Sequence, residues 1–388
     1  MLSQTQTLVH FDWAEVSLYL VSALLCCVIV LGGPRFSWLY GRGQHLQAVQ
    51  ATHSQPTPRG GGIGIFGALA LSVAFAPSEI SHHYLMFILA TCIVFAAGLA
   101  EDLGFDVPPV KRLFAVCLAS LTAIFLLGVW MPRADVPGLD SLMSYWIVGV
   151  PITLLVTAGV ANGFNLIDGV HGLASLTAIV AAVALGLIAE QANYAVMVHL
   201  TMMLAAAILG FFMVNYPYGV IFLGDAGAYT LGFVLSWFGI SILLFAPDAS
   251  PWAMLLTMFW PVADTLLAIY RRTRRKVATM APDRLHMHQL VMRALEIYVL
   301  GRGHRNIANP LSTMVLAPFV IAPPIAGVVF WDQTTMAFLS VLCFAGLFFG
   351  SYSLAFPALR LLKRRAWSPK PVVHEFSLSP VSDPRSDK

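Results

Sequence analysis

Asn162, Asn165 and Asp168 place two amides and a carboxylate between two long apolar runs, in the stretch ANGFNLIDGVHG at 161–172. An ionisable residue beside a membrane-length apolar segment is costly, so it faces water or serves a function. Other such stretches follow a similar plan. Glu101 and Asp102 stand in GLAEDLG, Asp225 in NYPYGVIFLGDAGAYTLG, Asp264 in PVADT, and His286 and His288 in APDRLHMHQ. Arg59 precedes three glycines in TPRGGG, and Lys111 and Arg112 open the apolar run after the acid pair.

Each stretch has a chemical reading beside a plainer one. Asp168 and Asp225 read as preceding helix N-termini, where the ionised form is favoured and suits a hard cation that keeps waters; a lone N-cap is the alternative. Glu101 and Asp102 close a helix, where the dipole is unfavourable, so a divalent cation or the Lys111–Arg112 pair should compensate them. The glycines at 60–62 either offer N–H groups to an anion or allow a tight turn and close packing. Asp264, nearly two turns before Arg271, reads as partly buried and paired. The basic run at 271–276 anchors an inner loop at anionic lipid, with some cations free to meet phosphate. Pro282 and Asp283 signal a helix start. Helical spacing then puts His286, Gln289 and Arg293 on one face and Leu285, His288 and Met292 on another. Histidines two apart are a poor zinc pair on a helix. Contacts from Arg284, His286 and His288 to phosphate oxygens fit better, and no zinc is expected.

The elements that carry these stretches are set by composition. Hydrophobic residues are 58%, charged residues 11% and mean hydropathy is +0.78, against roughly 25% charge in ordinary soluble domains. That describes an all-α polytopic membrane protein. A crossing helix needs about 20 apolar residues, which gives about eleven spans, near 16–33, 61–77, 83–100, 113–131, 145–161, 172–190, 194–214, 228–247, 251–270, 311–331 and 335–356. Lys and Arg fall on alternate connections: 33–60, 101–112, 271–310 and 357–388 hold 3, 2, 9 and 7, which is 21 of the 22, and only Arg133 stands apart. By the positive-inside rule the N-terminus is then outside, the C-terminus inside, and every motif above faces the cytoplasm. The segment before the first span lacks the basic start of a cleaved signal, so that span is expected to stay.

The opposite connections are short and carry Glu79, Asp135, Asp140, Asp248 and Asp332. They read as plain turns with unpartnered acids. All five cysteines lie in apolar runs and read as packing residues. The net charge of +3 is too small to argue for nucleic acid. A single membrane domain over 1–365 and a disordered cytoplasmic tail over 366–388, rich in Pro and Ser, complete the expectation.

Taken in order, these motifs resemble the polyprenyl-phosphate N-acetylhexosamine-1-phosphate transferase family, over about residues 55–295. The resemblance implies a Mg²⁺-dependent enzyme, with Mn²⁺ able to substitute, in the bacterial inner membrane with its active site on the cytoplasmic face. Its partners would be a UDP-N-acetylhexosamine, undecaprenyl phosphate and the lipid bilayer, with no nucleic acid and with homo-oligomerisation left open. It would move a sugar-1-phosphate to the lipid and release UMP. Carried over residue by residue, the family's acid pair falls on Glu101 and Asp102, its Asn-Asp motif on Asn162, Asn165 and Asp168, and its Gly-Asp motif on Asp225. Its histidine loop falls on His286 and His288.

The resemblance gives Asp225 the metal, assisted by Asp168. Asn162, Asn165, Lys111, Arg284, His286, His288, Arg59 and Asp264 would serve substrate, and Asp102 is the family-style base. A phosphate monoester with a second pKa of about 6 scarcely needs a base, which favours a positioning role for Asp102. Glu101, His171 and Gln289 depart from the family pattern. They favour an O-antigen-like branch, taking UDP-GlcNAc or a deoxy relative, over a phospho-MurNAc-pentapeptide transferase. A secondary transporter is the alternative from another class, but transporters carry such groups near the bilayer midplane.

Overall fold

The computed structural model describes residues 12–33, 57–275, 285–301 and 303–366. Arg284 and the segment 367–388 lie outside the described residues, as does most of the segment joining the first two spans. Among the described residues all regular structure is helical: α1 (Trp13–Gly32), α2 (Gly61–Leu71, continued by a tighter turn Ser72–Phe75), α3 (Ser81–Asp102), α4 (Pro109–Leu127), the short α5 (Asp140–Met143), α6 (Trp146–Ile167), α7 (Leu173–Gln191), α8 (Ala195–Asn215), α9 (Gly224–Phe245), α10 (Pro251–Thr257), α11 (Phe259–Arg275), α12 (Met287–Ala294), α13 (Arg305–Val329) and α14 (Thr334–Ala366). A backbone in lipid must satisfy its own hydrogen bonds, and helices do so within each segment.

Nine of the described helices are long and apolar enough to cross a membrane, and α10 with α11, which meet at 84°, form a tenth candidate. The expectation of about eleven spans exceeds this by the segment at 61–77. Its helix runs only Gly61–Phe75, about 22 Å at 1.5 Å per residue, short for a roughly 30 Å hydrocarbon layer, yet it carries the chain from the Asp225 loop to the start of α3, whose last residue Asp102 returns to that loop.

Helix α9 is the axis of the bundle, buried along almost its whole length and packed against α2, α3, α6 and α7. Lipid supplies no hydrophobic drive between helices, so association depends on close packing and small residues. At Gly98 of α3 an added Cβ would lie 2.6 Å from Ala226 Cα. Farther along, Phe87 of α3 stacks on Phe233 of α9 with centroids 5.8 Å apart. Helix α13 carries Pro310, Pro318, Pro323 and Pro324 in its interior, tolerated where neighbouring helices and side chains re-satisfy the freed carbonyls.

At the end of α9 away from the motifs, Arg133 donates to the carbonyls of Leu243 (3.1 Å), Ala246 (3.3 Å), Pro247 (2.5 Å) and Ala249 (2.5 Å). It also pairs with Asp135 at 3.2 Å, whose other oxygen accepts the Thr334 hydroxyl at 2.6 Å. Asp140 accepts the Ala134 N–H at 2.8 Å. These connections are therefore cross-braced, and the expectation of unpartnered acids is corrected for Asp135 and Asp140. Their partners come from distant or folded-back chain that spacing does not show.

Candidate functional site

The carboxylate of Asp102, the last residue of α3, lies against the first turn of α9. Its Oδ1 accepts the Asp225 N–H at 3.0 Å and its Oδ2 the Ala226 N–H at 2.9 Å. Arg59 stands 3.7 Å from Oδ1. The unfavourable end of one helix is thus compensated by the favourable end of another, and not by the Lys111–Arg112 pair. Gly224 makes the approach possible: its φ is +74°, and a Cβ there would sit 2.5 Å from Asp102 Oδ2. Both conditions exclude a side chain.

Asp225 is the second residue of α9, and its side chain has other partners. Its Oδ1 accepts Asn165 Nδ2 at 3.0 Å and its Oδ2 pairs with Arg112 Nη1. Asp168 caps the C-terminus of α6 and does not precede α7, which begins five residues later at Leu173. It accepts the Gly224 N–H and feels the charge of Arg59. Desolvation nevertheless pushes its carboxyl up to about 7. Asn162 lies half-buried one turn before Asn165 on α6.

Gly61 and Gly62 do not offer their N–H groups to an anion. Gly61 N–H donates to Phe222 O at 2.8 Å, Gly62 N–H to Leu223 O at 2.9 Å, and Phe222 N–H to Pro58 O at 2.9 Å. The plainer reading holds, since a short backbone pairing ties Arg59 to the loop that leads into Asp225. Asn215 Nδ2 braces that loop by donating to Ile221 O at 2.6 Å. Glu101 is also turned away: its Oε2 accepts the Val107 N–H at 2.6 Å and holds the α3–α4 turn. Lys111 is exposed.

The second half of the site comes from α11 and α12. Asp264 is fully buried, and its Oδ2 accepts His286 Nδ1–H at 2.6 Å while its Oδ1 accepts the Met287 N–H at 3.3 Å. His286 is the N-cap of α12, one residue before the helix. Its ring stacks on that of His288, centroids 5.7 Å apart, so the separate faces expected from helical spacing do not divide the two histidines. His288 is buried with neither ring nitrogen partnered. Desolvation holds its pKa down to about 4 against the pull of Asp264, so it is neutral at pH 7. Its Nε2 would lie 2.2 Å from a Cβ at Gly169. The glycine after Asp168 therefore makes room for the histidine loop.

Two participants escaped sequence reasoning, and a third was given another partner. Arg112, and not its neighbour Lys111, reaches Asp225, from the first turn of α4. Asn309 and Thr313 of α13 clamp the α6–α7 turn: Asn309 Oδ1 accepts the His171 N–H at 2.7 Å, and Thr313 Oγ1 donates to His171 O at 2.6 Å. Two buried polar side chains one turn apart in an apolar helix were the available signal. His171 Nδ1 lies 2.9 Å from Pro217 O, and burial lowers its pKa.

Among the described residues no three His, Cys, Asp or Glu side chains form a metal cage. The donor set does fit a Mg²⁺ that takes one or two carboxylates and completes its shell with waters and phosphates. Asp168 accepts the N–H of Gly224, the residue before Asp225 in the chain, whereas both oxygens of Asp102 are spent on backbone N–H groups.

Fold and site together define a helical membrane protein with buried carboxylates and arginines gathered at one end of its bundle. Residues 84–243 match the family model for Glycosyl transferase family 4. The chain is similar to a decaprenyl-phosphate N-acetylglucosaminephosphotransferase of Mycolicibacterium smegmatis, 27% identical over 318 residues that cover 73% of this chain and 75% of the relative. It is also similar to an undecaprenyl-phosphate alpha-N-acetylglucosaminyl 1-phosphate transferase of Yersinia pestis, 27% identical over 252 residues, 62% and 67% of the two chains. The corresponding enzyme of Salmonella typhimurium is 28% identical over 254 residues, with the same coverage. The chain is thus similar to this family of glycosyl transferases over its central region.

Proposed function

We propose that the chain transfers an N-acetylhexosamine 1-phosphate from a UDP-sugar to undecaprenyl phosphate, releasing UMP. The product would be the first lipid-linked sugar of an O-antigen-like envelope polysaccharide. In this reading residues 1–365 form the transferase unit, in the inner membrane, with the motif end facing the cytoplasm as the distribution of Lys and Arg requires. The observation that carries it is the convergence of Arg59, Asp102, Arg112, Asn165, Asp168 and Asp225, from five separate stretches, on the first turn of α9.

In the reaction an acceptor phosphate oxygen attacks the phosphorus that bears the sugar. A new P–O bond forms, the pyrophosphate P–O bond breaks, and the electron pair leaves on UMP. Such transfers ask the protein for positioning and charge neutralisation. Asp168 and Asp225 would hold a Mg²⁺, which when bound neutralises charge on the donor pyrophosphate. Arg59 and Arg112 bring fixed positive charge to the same space. Asp264 orients His286 through Nδ1, leaving Nε2 for a phosphate or a leaving group. His288 acts as a neutral partner.

Asp102 is unsuited to be a base, because both oxygens already accept N–H groups. Its role is to hold the α9 N-terminus against α3. The test is UMP release by purified protein with Mg²⁺, undecaprenyl phosphate and a panel of UDP-sugars. Release with one UDP-N-acetylhexosamine that EDTA abolishes is expected, and silence across the panel would overturn the reading.

A further inference from the structure

The pairing at Asp225 poses a chemical problem. Both of its oxygens are in use, Oδ1 by the neutral amide of Asn165 and Oδ2 by the guanidinium of Arg112. A divalent cation that takes Oδ2 meets the positive charge already there, and two cations do not share one lone-pair direction. The arginine is meanwhile poorly satisfied for a group with five donors. Its Nε is buried without a partner, its side chain is only 13% exposed, and its guanidinium lies 5.8 Å from the ring centroid of Tyr229, one turn along α9 from Asp225.

We propose that Arg112 is an exchangeable counter-ion: it holds Asp225 while no divalent cation is bound, then releases that oxygen and turns its guanidinium to a phosphate of the incoming UDP-sugar. This rests on the reading of Asp225 as a cation ligand.

The exchange is favoured by charge conservation. Stripping one partner from a buried ion pair is costly because the other is left uncompensated. Here neither is left so, since Asp225 gains a cation in the same event in which Arg112 gains an anion. The planar fork of arginine matches phosphate oxygens in two-point contact, and Tyr229 gives it a face to slide on without losing its packing. The side chain would thus keep the Asp225 carboxylate ionised and oriented between turnovers. It would also make metal and donor binding mutually dependent.

The experiment is Mn²⁺ binding to the full chain in detergent, read by electron paramagnetic resonance, for wild type, Arg112→Gln, Arg112→Lys and Asp225→Asn. If the guanidinium holds the oxygen about nine-tenths of the time, its removal tightens Mn²⁺ by about tenfold. In the same variant the KM for the UDP-sugar rises by about tenfold, because a charge-assisted phosphate contact is gone. Arg112→Lys keeps the charge and leaves Mn²⁺ affinity near the wild-type value, and Asp225→Asn abolishes binding. Should Arg112→Gln fail to fold, Arg112→Met keeps the packing against Tyr229 and carries the same expectation. Mn²⁺ affinity that is unchanged or weaker without Arg112, in protein whose wild type binds Mn²⁺, overturns the exchange and leaves the metal site standing. Absence of Mn²⁺ binding in wild type and Arg112→Gln alike overturns the metal site, and the exchange with it.

Discussion

The two ends of α9 answer the same physical demand in opposite ways. At its C-terminus Arg133 meets orphan carbonyls and pairs with Asp135; at its N-terminus Asp102 meets orphan N–H groups. Both are favourable to the helix dipole. The difference lies in what is left over. The Arg133 end closes its accounts, with one cation, one anion and backbone carbonyls mutually satisfied. The Asp102 end adds a second and a third carboxylate, two arginines, and a buried neutral histidine with both ring nitrogens unpartnered. Buried polar groups are nearly always paired, so a surplus at one end marks where a ligand completes the set.

The sharpest way to break this comparison is Asp225→Asn. Loss of UMP release by about 10³-fold is expected for a group acting on transition-state charge, larger than the loss of thermal stability that follows when Arg112 is left without its partner. A variant that retains even a tenth of the wild-type rate would reduce Asp225 to one more helix-end residue.

Asp102→Asn should come next. The amide presents an NH₂ to one of two backbone N–H groups, and leaving that N–H unsatisfied costs about 1–3 kcal/mol, or roughly 5- to 150-fold in rate if the α9 turn must be seated for turnover. The loss should persist above pH 8. A rate recovered above pH 8 would instead make Asp102 the base that removes a proton from the acceptor.

The Asp168 carboxyl supplies a smaller, graded effect. Because its pKa is raised to about 7, protonation proceeds as pH falls through that value, and a neutral acid is a poor cation ligand. Mn²⁺ affinity is expected to level off above pH 8 and to fall by up to about tenfold per unit below pH 7. Asp168→Asn should flatten the curve, and an unaltered curve would assign the titration to another group.

Arg133→Ala tests the opposite end and should touch activity least. Loss of its carbonyl contacts is expected to lower stability by about 1–3 kcal/mol, seen as a lower Tm, while KM for the UDP-sugar stays put. A KM change there would mean that the two ends are coupled through α9.

Much of the site was legible because polar residues in an apolar chain are few and must be accounted for. Asp102, Asn165, Asp168, Asp225, Asp264 and His286 all stood out on that ground, and the structure gathers them at one end of the bundle. Their local settings were less legible. Asp168 ends α6 and does not start α7, Gly61 and Gly62 pair with 222–223, and His286 precedes its helix. In each case spacing gave a regular element, and a contact with distant chain set where that element stopped.

What the sequence determined by itself is the solvent and the inventory. Long apolar runs dictate helices, because a backbone in lipid must bond to itself, and the polar residues left between them are those that a membrane protein cannot carry idly. What only the tertiary structure decided is pairing. Whether Asp102 meets a metal or a helix end, and whether Lys111 or Arg112 reaches Asp225, depends on how helices more than a hundred residues apart in the chain approach one another. That approach is set by side-chain shape and close packing between helices, which leave no periodic trace in the order of the residues.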